Sequence, residues 1–421
     1  MKILVKNCTI IDSRSPYNGQ TLDILIHDGQ ITEIGKDFES AANKVIEEDG
    51  LHLSPGWVEL HSNFSDPGFE EREDLRSGSE AAASGGFTSV VLMPSVDPPV
   101  DSRADIDYVY NRSEEFPVNL YPVGALSKGL KGEELSEMFD MRESGAIAFS
   151  DDTHPVSNPN LLKLGLLYSS NLDTPVLSRP FQSEIAGNGQ MNEGHTSTYL
   201  GLRGIPALAE ELMIARDLYL AEYTGGRIHF CGVSTLRGID MIREAKEKGV
   251  RASCDVNLYN LVHDESVLSD YNTYFKVNPP LRERETISGL IENLLAGVVD
   301  AIAIDHIPMD EERKNCEFEH ASFGMAGLET AYGNYQTYLS DKIGLELFVD
   351  LISHGPRDVL DLPRITVKEG SMAELTLFCP SGETLVETSK KRSRSVNDPS
   401  YGQALKGKVV GIINKSGFTR S

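Results

Sequence analysis

Apolar and polar positions alternate over residues 1 to about 54. Ile3, Val5, Ile10, Ile11, Ile24, Ile26 and Ile31 recur at strand spacing, with Asn18-Gly19 and Asp28-Gly29 as turns. This stretch predicts a small β unit. From Pro55 the pattern becomes short apolar runs separated by helix-length segments, the mark of βα repeats around a parallel sheet. Eight runs are visible, at 57–61, 87–93, 118–123, 146–149, 174–177, 227–232, 250–256 and 299–304, and segments such as 207–219 and 236–248 predict helices between them. Eight βα units predict an α/β fold, a (β/α)8 barrel over residues 55–364. Strand and turn character returns from about 365, at 375–378 and 409–413, so 1–54 and 365–421 are expected to pair into one β-sandwich domain.

Composition narrows the partners. The 421 residues are 40% hydrophobic and 24% charged, and no uncharged apolar run approaches the roughly 18 residues of a membrane span. The 39 Lys and Arg against 64 Asp and Glu leave a net charge of −25, which repels phosphate backbones and anionic lipid. Neither nucleic acid nor a membrane is expected as a partner. Met1-Lys2-Ile3-Leu4-Val5-Lys6 has no signal-peptide pattern, and Cys8, Cys231, Cys254, Cys316 and Cys379 are scattered without CxxC spacing. Reduced thiols and a cytoplasmic location are expected. The basic run 389–395 reads as a solvated surface loop.

In such a barrel chemistry sits at the carboxyl ends of the strands. The first strand end reads Pro55-Gly56-Trp57-Val58-Glu59-Leu60-His61-Ser62-Asn63-Phe64-Ser65-Asp66-Pro67-Gly68. It is followed by Gly85-Gly86-Phe87-Thr88 and Met93-Pro94, then Phe149-Ser150-Asp151-Asp152 and Asn278-Pro279-Pro280-Leu281-Arg282. Ile304-Asp305-His306-Ile307-Pro308 and Phe323-Gly324-Met325-Ala326-Gly327-Leu328 complete the series. In this order the blocks resemble the dihydroorotases, cyclic amidohydrolases of pyrimidine synthesis, whose opening motif is Pro-Gly-x-Ile-Asp-x-His-x-His-x-Arg-x-Pro-Gly.

The resemblance implies an amidohydrolase-type barrel and a definite ligand set. Two zinc ions activate a bridging water, held by both histidines of His-x-His, an aspartate after strand four, histidines after strands five and six, and an aspartate after strand eight. His61, Asp151 and Asp305 match metal positions, and Asp305 would carry the proton in an active enzyme. Asn63, Arg179 and Gly232 stand where three histidines should be. Arginine keeps its proton and cannot ligate zinc. The family's carboxylate-binding Arg, Asn and His become Ser65, Ser95 and Met309, and its Pro-His-His after strand seven becomes Leu258-Tyr259-Asn260. Asn278 and Gly324 remain as implied substrate-binding positions. The scaffold blocks are kept while the strand ends are replaced.

For His61 the plainest reading is a packed polar network with Asp305 or Asp151, with a residual metal as the alternative. For Cys231, beside Gly232, a soft ligand displaced by one position is the alternative to a buried inert thiol, which is expected because strand alternation turns it to the opposite face. The acidic groups at 70–74, 264–265 and 310–312 read as helix starts or solvated surface. Three functions compete. The chain is a dihydroorotase homologue without hydrolase activity, assembling with aspartate transcarbamoylase or with itself and needing no cofactor. Otherwise it is an active zinc dihydroorotase, or a cyclic amidohydrolase acting on another substrate with one metal held by His61, Asp151 and Asp305.

Overall fold

The computed structural model describes residues 1–38 and 42–421. Each of the eight apolar runs contains a strand. In chain order these are Trp57–Ser62, Phe87–Leu92, Asn119–Pro122 continuing as Gly124–Ala125, Phe149–Ser150, Val176–Ser178, Ile228–Phe230, Ala252–Asn257 and Ala301–Ala303. Every neighbouring pair is parallel. Hydrogen bonds link the first strand to the last. The Asn63 backbone amide donates to the His306 carbonyl at 3.0 Å, and the Glu59 carboxylate receives the backbone amides of Ile304 at 2.7 Å and Asp305 at 2.9 Å. The expected α/β barrel is present.

Parallel strands covered on both faces carry apolar residues on both. Val90, Phe230, Val256 and Ile302 face outward into the main core beneath the helices. Val58, Leu60, Val91, Leu177, Ala301 and Ala303 form a separate inner cluster with Val359, Leu360 and Leu362. The last three close the amino-terminal end of the barrel, where Arg357 donates to the Gly56 carbonyl and Arg227 to that of Val359. The opposite end is left for side chains with chemistry. The long predicted helices form as Leu208–Thr224, ended by Gly225 at φ 69°, and Leu236–Glu247, whose cap Thr235 accepts from the Gly238 amide.

The two chain ends share one eight-stranded sheet. Its order is Gly417–Arg420, Ala404–Asn414, Leu375–Leu385, His52–Pro55, Lys2–Ile10, Thr21–His27 and Gln30–Gly35, with Lys44–Ile46 also paired to Lys2–Ile10. Ile3, Val5, Ile24, Leu53, Leu375, Leu377 and Ile413 meet in a single core, so the sheet folds over on itself. Register shifts at Val5/Cys8 and Leu377/Phe378 supply the bends.

The basic run keeps Lys390, Arg392 and Arg394 exposed, as a solvated surface should, but the loop that carries it is also anchored. Ser393, Ser395, Asn397 and Asp398 are buried. Ser393 and the Arg394 amide donate to the Glu73 carboxylate, and Arg394 bonds the Glu70 carbonyl at 2.7 Å and Asp74 at 2.6 Å. Asn397 donates to the carbonyls of Ile307 and Gly324 and accepts from the Met309 amide. The acidic stretch 70–74 is the dock for this loop, which is why Glu73 is buried rather than solvated. Glu265 is buried as well, accepting from Asn192 at 2.8 Å. Among the described residues, no helix is long and apolar enough to cross a membrane.

Candidate functional site

Residues of five strands converge on one buried chain of charges. His61, on the first strand, places Nδ1 3.1 Å from Asp305 and Nε2 3.1 Å from Asp255. Carboxylates only accept, so both ring nitrogens must donate and His61 is an imidazolium. Burial alone would lower its pKa, but Asp255 and Asp305 override this and raise it well above the ordinary value of 6.5. Arg179, at the end of the fifth strand, grips Asp305 with two bonds of 3.1 and 2.5 Å and donates to the Asn278 carbonyl at 3.2 Å. Its Nε lies 3.2 Å from Asp152.

Asp305 is saturated. Besides His61 and Arg179, it accepts from the Tyr259 hydroxyl at 2.9 Å and Asn257 at 3.3 Å. Burial opposes ionisation, yet Arg179 and His61 hold its carboxyl well below the usual carboxylate range. A carboxylate so surrounded is a poor proton acceptor. Asp255 is likewise enclosed, by His61, by His229 at 2.9 Å and by the Gly232 amide at 2.8 Å. Glu59, beneath them, has its pKa pushed up to about 7 by burial, against the pull of His61 and its two amide donors.

Asp151 is not a member of this centre. Its carboxylate turns onto Ser127, accepting the backbone amide at 2.8 Å and the hydroxyl. Asp152 faces Arg179 instead and accepts from Ser95. Adjacent residues at a strand end point to opposite sides, and the inward one of this pair is the second. Cys231 is the buried free thiol expected, but on the other face. Its parity is that of His229, which faces Asp255, so the thiol points inward, and one donor atom each from His61, Cys231 and Asp255 lies within 4.8 Å of the others. Burial first, then Asp255, raises the Cys231 pKa well above the ordinary value, which keeps it a neutral thiol. The expectation for His61 holds for Asp305, with Asp255 rather than Asp151 as the second partner.

Above this chain opens a cavity of roughly 440 Å³, lined in part by Asn63, Ser65, Ser95, Asp152, Arg179, Asn278, Asp305, Met309 and Gly324. The replaced recognition positions thus do share one space. Asn63 donates to Ser95 at 2.9 Å and accepts the Ser65 amide at 2.7 Å, so its side chain is committed. Gly232 has φ 65°, and a Cβ there would lie 2.9 Å from Asn257 Nδ2. Sequence reasoning missed Asp255, Glu59 and Asp152. Acids inside the apolar runs 57–61 and 250–256 were the available signal for the first two, because a carboxylate in a doubly covered strand needs a partner.

A two-zinc centre does not fit these residues. An imidazolium has no lone pair to offer, Arg179 fills the gap between Asp152 and Asp305, Asn63 is bonded elsewhere and Gly232 offers no side chain. The trio His61, Cys231 and Asp255 would have to shed protons from His61 and Cys231 before it could bind one cation.

A family profile described as dihydro-orotase-like matches residues 50–237. The dihydroorotase of Acetivibrio thermocellus is 42% identical over 410 residues, covering 97% of this chain and 96% of the relative. That of Ruminiclostridium cellulolyticum is 41% identical with the same coverage of both. Among solved structures, L-hydantoinase from Arthrobacter aurescens superposes with a TM-score of 0.88 at 23% identity, covering 100% of this chain and 96% of that one. Dihydropyrimidinase from Brevibacillus agri gives 0.81 at 19% identity, covering 99% and 95%. At such identities these structures establish the amidohydrolase fold alone.

Proposed function

The chain belongs to the dihydroorotase family, and on that premise we propose that it is a member associated with pyrimidine biosynthesis that neither opens nor closes the dihydropyrimidine ring. In this reading it serves as a structural partner of aspartate transcarbamoylase. One observation carries the loss of chemistry: the Arg179 guanidinium occupies the space between Asp152 and Asp305 and, with the His61 imidazolium, supplies the positive charge that a metal centre would. Losing a single transition-state donor costs about 2.7–4 kcal/mol, and here the water-activating group and three substrate contacts are replaced together. The partner half rests on the retained scaffold. Blocks such as Asn278–Arg282 keep the barrel folded after its catalytic groups have gone.

Elemental analysis after dialysis should find well under one zinc per chain. No turnover of dihydroorotate or carbamoyl aspartate should be measurable in either direction with zinc added. Two zinc ions per chain, with turnover abolished by Asp305→Asn, would overturn the reading. A single stoichiometric zinc lost on Asp305→Asn but kept on Cys231→Ser would favour the one-metal alternative. Co-purification from native cells with mass measurement tests the partner, and recovery without a transcarbamoylase removes that half.

A further inference from the structure

A second cavity opens at the opposite end of the barrel from the candidate site. It holds roughly 290 Å³ at the amino ends of the fifth to eighth strands, where Pro175, Arg227, Arg251 and Asp300 each stand one residue before a strand. Two arginines lie side by side in it. Ile228 pairs with Ala252 on the neighbouring parallel strand, so Arg227 and Arg251, each one position earlier, are cross-strand neighbours with backbones about 4.8 Å apart. Like charges so placed repel. Arg227 is partly satisfied, donating to the Val359 carbonyl at 2.8 Å and pairing with Asp361. Among the described residues, the Arg251 guanidinium makes no hydrogen bond. Its carboxylate within reach is Asp173, 3.9 Å away and 83% exposed, which also stands 4.0 Å from Arg227.

The acids lining the cavity are engaged with other cations. Asp300 Oδ2 accepts from Lys246 at 2.6 Å and from the Cys254 amide at 2.8 Å, while Asp358 pairs with Arg14 and lies 3.5 Å from Arg364. A guanidinium can only donate, and its planar fork matches the oxygens of a phosphate. An oxyanion between Arg227 and Arg251 therefore removes their repulsion and gives Arg251 the partners it lacks. The cavity is far larger than a lone phosphate needs. Ligand pockets join an apolar wall to a few convergent polar groups, and Pro175, Ile228 and Val359 supply such a wall. The Ser253 oxygen, 2.8 Å from His229 Nδ1, and Asp300 Oδ1, which has no hydrogen bond among the described residues, are acceptors for hydroxyl groups.

We propose that this cavity binds a small sugar phosphate, with the phosphate between Arg227 and Arg251 and the sugar hydroxyls on Ser253 and Asp300, independently of whether the other end of the barrel performs any chemistry. Titration calorimetry on the whole protein, in buffer free of phosphate and sulfate, tests it. Ribose 5-phosphate should bind once per chain, inorganic phosphate about threefold more weakly, and ribose not measurably. Arg251→Gln removes a half-exposed side chain without hydrogen bonds, so circular dichroism should match the wild type while both phosphates bind about tenfold more weakly. Ser253→Ala should narrow the gap between the ester and inorganic phosphate. Arg103→Gln, at an exposed helix start outside the cavity, should leave all three titrations unchanged. No saturable binding by about 10 mM, affinity indifferent to Arg251→Gln, an equal loss in Arg103→Gln, or an ester no tighter than inorganic phosphate would each overturn the proposal.

Discussion

Arg282 and Arg179 are both buried at the mouth of the barrel, each against carboxylates, and they do different work. Arg282 donates to Ser234 and Asn192 and lies 3.5 Å from Glu210, which itself accepts the amides of Ser234 and Thr235 at the start of helix Leu236–Glu247. It ties a loop to a helix start, and it belongs to a block that matches the family. Arg179 instead grips Asp305 and Asp152, the acids of the candidate centre, at a position where the family has histidine. Burial wins at Arg282 and lowers its pKa, whereas at Arg179 the two aspartates overcome burial and raise it well above its ordinary value. The same chemical pair thus ties a loop to a helix start in one place and fills the candidate centre in the other.

Removing each arginine separates the two roles most strongly. Arg179→Met leaves buried Asp305 and Asp152 short of a counter-charge and should cost about 3–5 kcal/mol in urea unfolding. Adding Asp305→Asn should recover much of that. Arg282→Met should cost less, because hydroxyl and amide partners survive without it, and an equal loss would erase the distinction. Next in size is His61→Gln, which should cost about 3 kcal/mol at pH 6, where two charge-assisted bonds are present. The His61 pKa is raised, so its contribution is complete below about pH 6.5 and declines as pH climbs through the folded-state value. A gap between wild type and variant that widens with alkalinity would contradict the imidazolium.

Tyr259→Phe removes one of the hydrogen bonds to Asp305 and should cost about 1.5–3 kcal/mol in urea unfolding. The smallest effect is expected at the half-exposed ion pair of Arg394 with Asp74, where Arg394→Ala should change stability by about 1 kcal/mol or less. A larger loss would make the docked loop a principal support of the mouth rather than an accessory to Asn397.

Much of the architecture was legible in the residues themselves. Apolar runs predicted eight strands because a doubly covered parallel strand must be apolar on both faces, and all eight contain one. Asn63, Arg179 and Gly232 advertised the altered centre by their side-chain chemistry alone, since none can do what an imidazole does. Direction was not legible. Asp151 and Asp152 are neighbours of the same type, and only the local backbone decides which faces Arg179 and which faces Ser127. Cys231 was assigned the wrong face because its parity was judged without His229 as the reference.

The sequence by itself determined the barrel, the sheet made from both ends and the family, because periodicity and short motifs are local properties that survive without coordinates. Only the tertiary structure decided that Asp255 joins His61, that Asp305 is saturated by four residues and that loop 389–395 docks on Glu73. These pairings join strands and loops distant in the chain. Their energies depend on burial and on distances of a few ångströms, and one-dimensional spacing carries neither.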